Sequence, residues 1–218
     1  MHGALIFDLD GTLVDSAPDI ADAANRMLAE AGVAPLELET IIGFVGAGLP
    51  KLVERVIAHV GLDPGRHGAL SARMQVLYAQ APAARARLYP GLPEALHALR
   101  AQGWRLGLCT NKPEAPARAI LAAFGLTDLF EVVVGGDTLV VRKPDPAPLR
   151  HGFAALGAPM ARLYVGDSET DAETARRAGL PFLLFTEGYR KSPPEALPHA
   201  ARFDDFARLP ALAAPYLR

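Results

Sequence analysis

Ala4-Leu5-Ile6-Phe7-Asp8-Leu9-Asp10-Gly11-Thr12 starts as an apolar run and ends in two carboxylates, a glycine and a hydroxyl. Such a run, halted by a turn residue, reads as a buried strand of a parallel sheet. In a continuing strand Asp8 and Asp10 would point to one face and repel each other. The pair makes sense where the strand stops and a cation neutralises the cluster. Ligand sites in open α/β sheets lie beyond the carboxyl ends of the strands, which is where both aspartates fall. An Asx-type turn, with both carboxylates accepting backbone N–H groups, explains the stretch equally well. The rest of the chain has to decide between them.

Downstream of Thr12 the pattern turns helical. Ile20, Ala24, Met27, Leu28 and Ala31 have 3.6-type spacing, and Gly32 marks a stop. Two or three more helices follow without a strand, near Leu38–Phe44, Leu49–Val60 and Ala69–Ala81. A Pro90-Gly91 turn then announces a new unit. From there helices (Leu92–Gln102, Ala115–Phe124, Pro146–Leu156, Glu169–Ala178) alternate with strands (Arg105–Cys109, Val132–Val134, Leu163–Val165, Phe182–Phe185). This rhythm predicts an α/β fold built on a doubly wound parallel sheet. Right-handed crossovers would bring the strand C-termini to one edge. The expected division is a core of residues 1–14 and 85–218, with a small helical cap, 15–84, inserted after the first strand. A cap so placed would sit over the edge, control access and exclude water.

Three further strand ends carry polar residues. The second strand runs into Thr110-Asn111-Lys112, where Thr110 reads either as a helix N-cap or as a hydroxyl facing an anion. After the third comes Arg142-Lys143-Pro144-Asp145-Pro146, whose prolines stiffen the support of Lys143. Alone, Lys143 reads as a solvated loop lysine. The fourth strand ends in Gly166-Asp167-Ser168-Glu169-Thr170-Asp171, with Asp167 expected to begin a helix and Asp171 four residues later on the same face. Acidic residues at a helix start also stabilise its dipole. Taken jointly, carboxylates from two strand ends suit a hard cation such as Mg²⁺, and a hydroxyl with an ammonium suits a phosphoryl group. The combined pattern predicts a Mg²⁺ phosphoryl-transfer site.

Composition excludes several other classes. The 218 residues are 50% hydrophobic and 21% charged, with a net charge of −2, which provides no attraction for nucleic acid or an anionic membrane. The lone cysteine, Cys109, excludes an internal disulfide, fits a reducing compartment and reads as a buried strand thiol. No apolar run approaches the 18 or so residues of a membrane span, and no cleavable leader is evident. A cytoplasmic protein, monomer or homodimer, is expected. None of the six histidines pairs at metal-ligand spacing. Gly43, Gly46 and Gly48 follow no strand and lack dinucleotide-binding spacing.

The chain resembles the haloacid dehalogenase superfamily, whose four motifs match Asp8-Leu9-Asp10-Gly11-Thr12, Thr110, Lys143 and Gly166 to Asp171 in order. The helical insertion looks like that family's mobile cap. Within the superfamily, Asp8 to Asp19, Phe44 to Gly48, Gly135 to Thr138 and Lys143 to Pro148 are similar to phosphoglycolate phosphatases. The resemblance implies that Asp8 attacks phosphorus and that Asp10 protonates the leaving alkoxide, then deprotonates the hydrolytic water. It implies Mg²⁺ held by the Asp8 carboxylate, the Asp10 main-chain carbonyl and Asp167. Thr110 and Lys143 would hold the phosphoryl oxygens, Asn111 and Lys112 are further substrate-contact candidates, and Asp171 would orient Lys143 or metal-bound water.

The implied reaction is hydrolysis of a small phosphorylated metabolite, 2-phosphoglycolate first, with a sugar phosphate or pyrophosphate as alternatives. Dehalogenases of the superfamily do not need Asp10, because halide leaves without a proton. A β-phosphoglucomutase-like mutase would carry an arginine after a cap-loop glycine. Here the loop reads Gly46-Ala47-Gly48-Leu49-Pro50, and Lys51 and Arg55, at i,i+4 on a polar face, read as solvated. A catalytically dead phosphate-binding protein would be expected to lack Asp8 or Asp10, and both are present.

Overall fold

A computed structural model describes residues 3–81 and 83–217; positions 1, 2, 82 and 218, which the expected domain ranges include, lie outside the described residues. The chain runs β1 (Gly3–Phe7), β2 (Val14–Asp15), α1 (Ala17–Glu30), α2 (Leu38–Ile42), α3 (Leu49–Val60), α4 (His67–Ala79) and β3 (Arg87–Leu88). It continues α5 (Leu92–Ala101), β4 (Trp104–Cys109), α6 (Glu114–Ala123), β5 (Val132–Val134), α7 (Ala147–Ala155), β6 (Arg162–Gly166) and α8 (Glu169–Ala178). It closes with β7 (Phe182–Phe185), β8 (Ala201–Phe203) and α9 (Leu209–Ala213).

Six strands form one sheet in the order β5-β4-β1-β6-β7-β8, and every neighbouring pair is parallel. The strand carrying the opening sequence is therefore central, flanked by β4 and β6. Its unbroken hydrophobicity follows from burial on both faces. Leu5 and Phe7 pack with α5, α6 and α9 side chains such as Leu96, Ile120 and Leu209. Ala4 and Ile6 pack on the opposite side with Leu149 and Phe153 of α7 and Ala172 of α8. A half-exposed strand would alternate apolar and polar residues; this one has no wet face. Cys109 lies in the second of these clusters, fully buried, and desolvation pushes its thiol up to about 12.

Strands of three or more residues expected from the sequence all appear, with boundaries shifted by no more than one residue. β8 was not expected: three residues, Ala-Arg-Phe, are too short to show a period, and its place is set by pairing with β7. The two-residue hairpin of β2 with β3 was not expected either. It ties the exit from β1 to the return at Arg87, closing the base of the helical insertion.

The helices between those two short strands build a separate apolar cluster from Ile20, Met27 and Leu28 of α1, Val53 and Val56 of α3, and Met74 and Leu77 of α4. Their connection to the sheet unit is pinned by Asp19. This buried carboxylate on α1 accepts the Arg85 N–H at 2.8 Å and the Ala86 N–H at 3.0 Å. Two backbone donors in the returning segment thus depend on one side chain. Removing it should cost about 2 kcal/mol, the usual penalty for stranding buried polar groups. Asp19→Ala is expected to lower the urea unfolding midpoint accordingly with an unchanged m-value. An unaltered midpoint would show that water replaces the carboxylate at no cost.

Candidate active site

The site lies at the C-terminal edge of the parallel sheet, where β1, β4, β5 and β6 all end. The Asp8 N–H still donates to the Val165 carbonyl at 2.9 Å, so Asp8 is held as rigidly as the strand it follows. The chain then turns tightly, with the Leu9 carbonyl accepting N–H groups of Thr12, Leu13 and Val14. Gly11 sits at φ +84°, a left-handed backbone, and a Cβ there would stand 2.5 Å from Asp167 Oδ2. The turn resolves the conflict between the two aspartates by sending them to different cations. Asp8 Oδ1 lies 2.9 Å from Lys143 Nζ. The Asp10 oxygens accept Lys112 Nζ at 2.8 and 2.9 Å and Ser16 Oγ at 2.5 Å.

Lys143 is buried and reaches three partners. Its ammonium donates to Asp171 Oδ1 at 2.7 Å and to the Tyr164 hydroxyl at 2.9 Å. The contact with Asp8 has ion-pair distance without hydrogen-bond alignment, leaving one N–H uncommitted. Asp171 is locked from every side. Tyr164 OH donates to its Oδ1 at 2.6 Å, and the Ser168 hydroxyl and N–H donate to its Oδ2 at 2.6 and 3.1 Å. Burial alone would raise its pKa, but Lys143, Ser168 and Tyr164 outweigh that and hold it below the usual carboxylate range.

Asp167 is almost fully buried and accepts Thr12 Oγ1 at 2.7 Å and the Tyr189 N–H at 2.6 Å. Contrary to expectation, it does not begin a helix. α8 starts at Glu169, and Ser168 is its N-cap in a reciprocal capping box with Asp171. Asp167 is therefore free to turn inward, and oxygens of Asp8, Asp167 and Asp171 come within 4.8 Å of one another. The backbone crowds this cluster: a Cβ on Gly188 would stand 2.3 Å from Asp167.

Electrostatics explains what the cluster needs. Four carboxylates (Asp8, Asp10, Asp167, Asp171) meet two ammonium groups (Lys112, Lys143), a formal excess of two negative charges. Burial and the neighbouring Asp171 push Asp8 up to about 7 against the pull of Lys143, and burial followed by Asp171 and Asp8 pushes Asp167 well up. A divalent cation offsets this excess. The donor set fits one: hard carboxylate oxygens, with Asp8 Oδ1 buried and lacking a hydrogen bond. Asp171, both of whose oxygens are saturated by protein donors, is better suited to fixing Lys143 than to ligating an ion.

The remaining expected residues separate. Thr110 is buried; its oxygen accepts the Lys112 N–H at 3.2 Å, and its O–H remains available. It does not cap α6, which begins at Glu114 after Pro113. Asn111 lines the cavity beside Asp8, with its buried Oδ1 unpartnered. Its amide donates to the Gly46 carbonyl at 3.2 Å and the Lys143 carbonyl at 3.1 Å, so both donors are used in tying the cap loop to the sheet edge. Lys112 is spent on Asp10 and lies 4.6 Å from the centroid of Tyr78 on α4. Thr12, Ser16, Tyr164 and Tyr189 went without a role in the sequence. Thr12 sits inside a quoted motif; Tyr189 had no signal, because its partner Asp15 is 174 residues away. Ser16 and Tyr164 find Asp10 and Asp171 only six and seven residues off, across a turn and a strand end that the local pattern does not resolve.

Asp8 and Asp10 line two adjoining cavities. A small inner one of about 30 Å³ is bounded by Thr110, Asn111 and Lys112, and an outer one of about 280 Å³ by Asp167, Glu169 and the cap loop at Val45–Ala47. Among the described residues no helix is long and apolar enough to cross a membrane.

Comparison with known proteins accords with this geometry. Residues 2–179 match the haloacid dehalogenase-like hydrolase family. The chain is 53% identical over 210 residues to a phosphoglycolate phosphatase of Cereibacter sphaeroides, covering 95% of this chain and 96% of that one. It is 49% identical to a phosphoglycolate phosphatase of Rhodobacter capsulatus, covering 97% of each. Its fold is similar to a crystal structure described as a predicted phosphoglycolate phosphatase from Haemophilus somnus 129PT, with a TM-score of 0.91, 32% identity and 97% coverage of both chains. With its parallel sheet, its acidic sheet edge and relatives of this identity, the chain belongs to the haloacid dehalogenase-like hydrolase family.

Proposed function

We propose that this enzyme is a Mg²⁺-dependent phosphomonoester hydrolase whose principal substrate is 2-phosphoglycolate, cleaved to glycolate and phosphate. The observation that carries the chemistry is the separation of Asp8 and Asp10 into two environments two residues apart, one against Lys143 and one against Lys112. The substrate assignment is supported by the printed names of relatives at 53% and 49% identity.

In this reading an Asp8 carboxylate oxygen attacks phosphorus and the P–O bond to the alcohol breaks, leaving an aspartyl-phosphate. Asp10, at the mouth of the outer cavity, gives a proton to the departing oxygen. It then takes a proton from the water that attacks the aspartyl-phosphate, and phosphate leaves with the Asp8 carboxylate restored. The Thr110 hydroxyl and the uncommitted Lys143 N–H hold phosphoryl oxygens as charge spreads over them. Asp171 acts through Lys143, fixing its direction. The Asp8 carboxylate, the Asp10 main-chain carbonyl and Asp167 would hold Mg²⁺, which would supply the charge neutralisation a dianionic ester needs to approach a carboxylate nucleophile.

Residues 15–84 serve as the cap over a core of 1–14 and 85–218, and the enzyme works in the cytoplasm. Asn111 Nδ2 on the Gly46 carbonyl is the contact through which the loop of that cap is latched. Water is thereby kept from the aspartyl-phosphate except where Asp10 can activate it.

The test is a panel of phosphate esters ranked by kcat/KM, with 2-phosphoglycolate expected first; a poor rate on it would overturn the substrate while leaving the chemistry. Asp8→Asn should lose about 10³-fold or more in kcat on every ester, as expected when the attacking group is removed. Wild-type turnover by that variant would remove Asp8 as nucleophile. Asp10→Asn should slow alkyl phosphates by about 10²–10⁴-fold, the usual contribution of a general acid. It should slow formation of nitrophenolate from p-nitrophenyl phosphate far less, because that leaving group departs without a proton. Equal losses on both would show that Asp10 does not protonate the leaving oxygen. Dialysis against EDTA should abolish activity and Mg²⁺ should restore it; an undiminished rate after chelation would exclude the cation.

A further inference from the structure

The outer cavity brings together two cations that the reaction above does not use. Arg55, on α3 of the helical insertion, and Lys191, in the loop after β7, both line the space that contains Asp8 and Asp10. Arg55 belongs to the helical insertion and Lys191 to the sheet unit. Among the described residues neither has a carboxylate within ion-pair distance. Two basic groups of the insertion do, Lys51 with Glu54 and Arg73 with Glu30, whereas Arg26 donates to the Gln80 amide oxygen. The expectation that Arg55 is solvated like Lys51 is also not met. Arg55 is half-buried, and one guanidinium nitrogen donates to the Phe44 carbonyl at 2.8 Å, aiming the group inward from the helix.

Of the carboxylates lining this cavity, Asp8, Asp10 and Asp167 belong to the reacting centre and Glu169 is engaged with backbone donors. It accepts the Lys191 and Ser192 backbone N–H groups at 2.8 and 2.7 Å, which fixes the loop bearing Lys191. Burial and the charge of Arg55 lower the Lys191 pKa against the opposing pull of Glu169, so the two cations sense each other. Two like charges lining one cavity, neither paired directly to a carboxylate, repel each other. An anion between them reverses the sign of that contribution.

We propose that Arg55 and Lys191 form the subsite for the carboxylate of the substrate, bridging the helical insertion and the sheet unit when that carboxylate is bound. The inference deepens the phosphatase reading and rests on it. A substrate bearing a phosphate at one end and a carboxylate at the other would place its phosphorus at Asp8 and its second anion at this pair. The planar guanidinium can hold a carboxylate through two parallel N–H groups, and the ammonium adds a point charge. The pair also answers an electrostatic difficulty, because a multiply charged anion must approach a site lined by aspartates. Selectivity follows: an ester lacking the second anion forgoes the contact with both cations.

The test compares 2-phosphoglycolate with ethyl phosphate, which is of similar size and has no carboxylate. The readout is the ratio of their kcat/KM values in wild type, Arg55→Ala, Arg55→Lys and Lys191→Gln. Wild type should prefer 2-phosphoglycolate by at least tenfold. Arg55→Ala and Lys191→Gln should each reduce that ratio by at least tenfold, mostly through KM for 2-phosphoglycolate, with Arg55→Lys intermediate. Lys191→Gln sits on an exposed loop and keeps the test valid should loss of the Phe44 contact unfold the Arg55 variants.

A ratio unchanged in both Arg55→Ala and Lys191→Gln overturns the subsite. That includes the case where Arg55→Ala slows both esters equally, the signature of a residue that only braces the cap loop. Wild type without preference for a carboxylate-bearing ester also overturns it, and leaves phosphatase chemistry standing. If another carboxylate-bearing phosphate outranks 2-phosphoglycolate and the variants lose that preference, the substrate name fails and the subsite holds.

Discussion

Asp8 and Asp171 are buried carboxylates that share the single ammonium of Lys143, and the geometry of the sheet edge follows from keeping those three charges together. Taking a charge out of water costs several kcal/mol, and stranding a buried partner typically costs about 3–5 kcal/mol. Each of the three groups is therefore held by others. Tyr164 and Ser168 saturate Asp171, the β1–β6 pairing fixes Asp8, and the central sheet keeps the loops after β5 and β6 in reach of one another. Asp167 adds a further carboxylate that no lysine meets, since its donors are neutral: Thr12 Oγ1 and the Tyr189 N–H. The remaining negative excess is what gives the site its demand for a divalent cation.

A parallel sheet is the economical way to meet that constraint. All its strands end on one side, so residues distant in sequence arrive at the same edge without long excursions of the chain. Asp8 and Asp167 come from neighbouring strands, and Thr110 from the strand on the other side of β1. The helical insertion leaves the chain immediately beyond Asp10, which places it over this edge from the start. Its contacts with the edge include Asn111 with the Gly46 carbonyl and Lys112 against the Tyr78 ring. Such contacts can be exchanged for water at little cost, which would suit the covering role proposed for the insertion.

Much of this architecture was legible in the sequence, and the failures have particular causes. The strands β1, β4, β5, β6 and β7 showed themselves because burial on both faces makes each a compact apolar run between turn signals. β8 is three residues and the β2–β3 hairpin two plus two, below the length at which any period exists. The residues that bear charge at strand ends were legible because carboxylates, a lysine and a hydroxyl are costly beside a hydrophobic sheet unless they have a task. Arg55 was misread because a polar helix face normally points to solvent, whereas here part of it points into the cavity over Asp8. That the amide hydrogens of Asn111 go to the carbonyls of Gly46 and Lys143 was not legible, because both acceptors are at least 32 residues away.

The sequence by itself determined the order of the strands along the chain, the two-sided burial of β1, and which residue types stand at the strand ends, because these depend on local composition and spacing. Only the tertiary structure decided how the charges are paired. Asp8 with Lys143, Asp10 with Lys112, Asp171 with Tyr164 and Asp167 with Thr12 join positions between 7 and 155 residues apart. Local pattern has no access to such distances. Partner choice among several lysines and aspartates is settled by which strands lie side by side and how far a buried ammonium can reach.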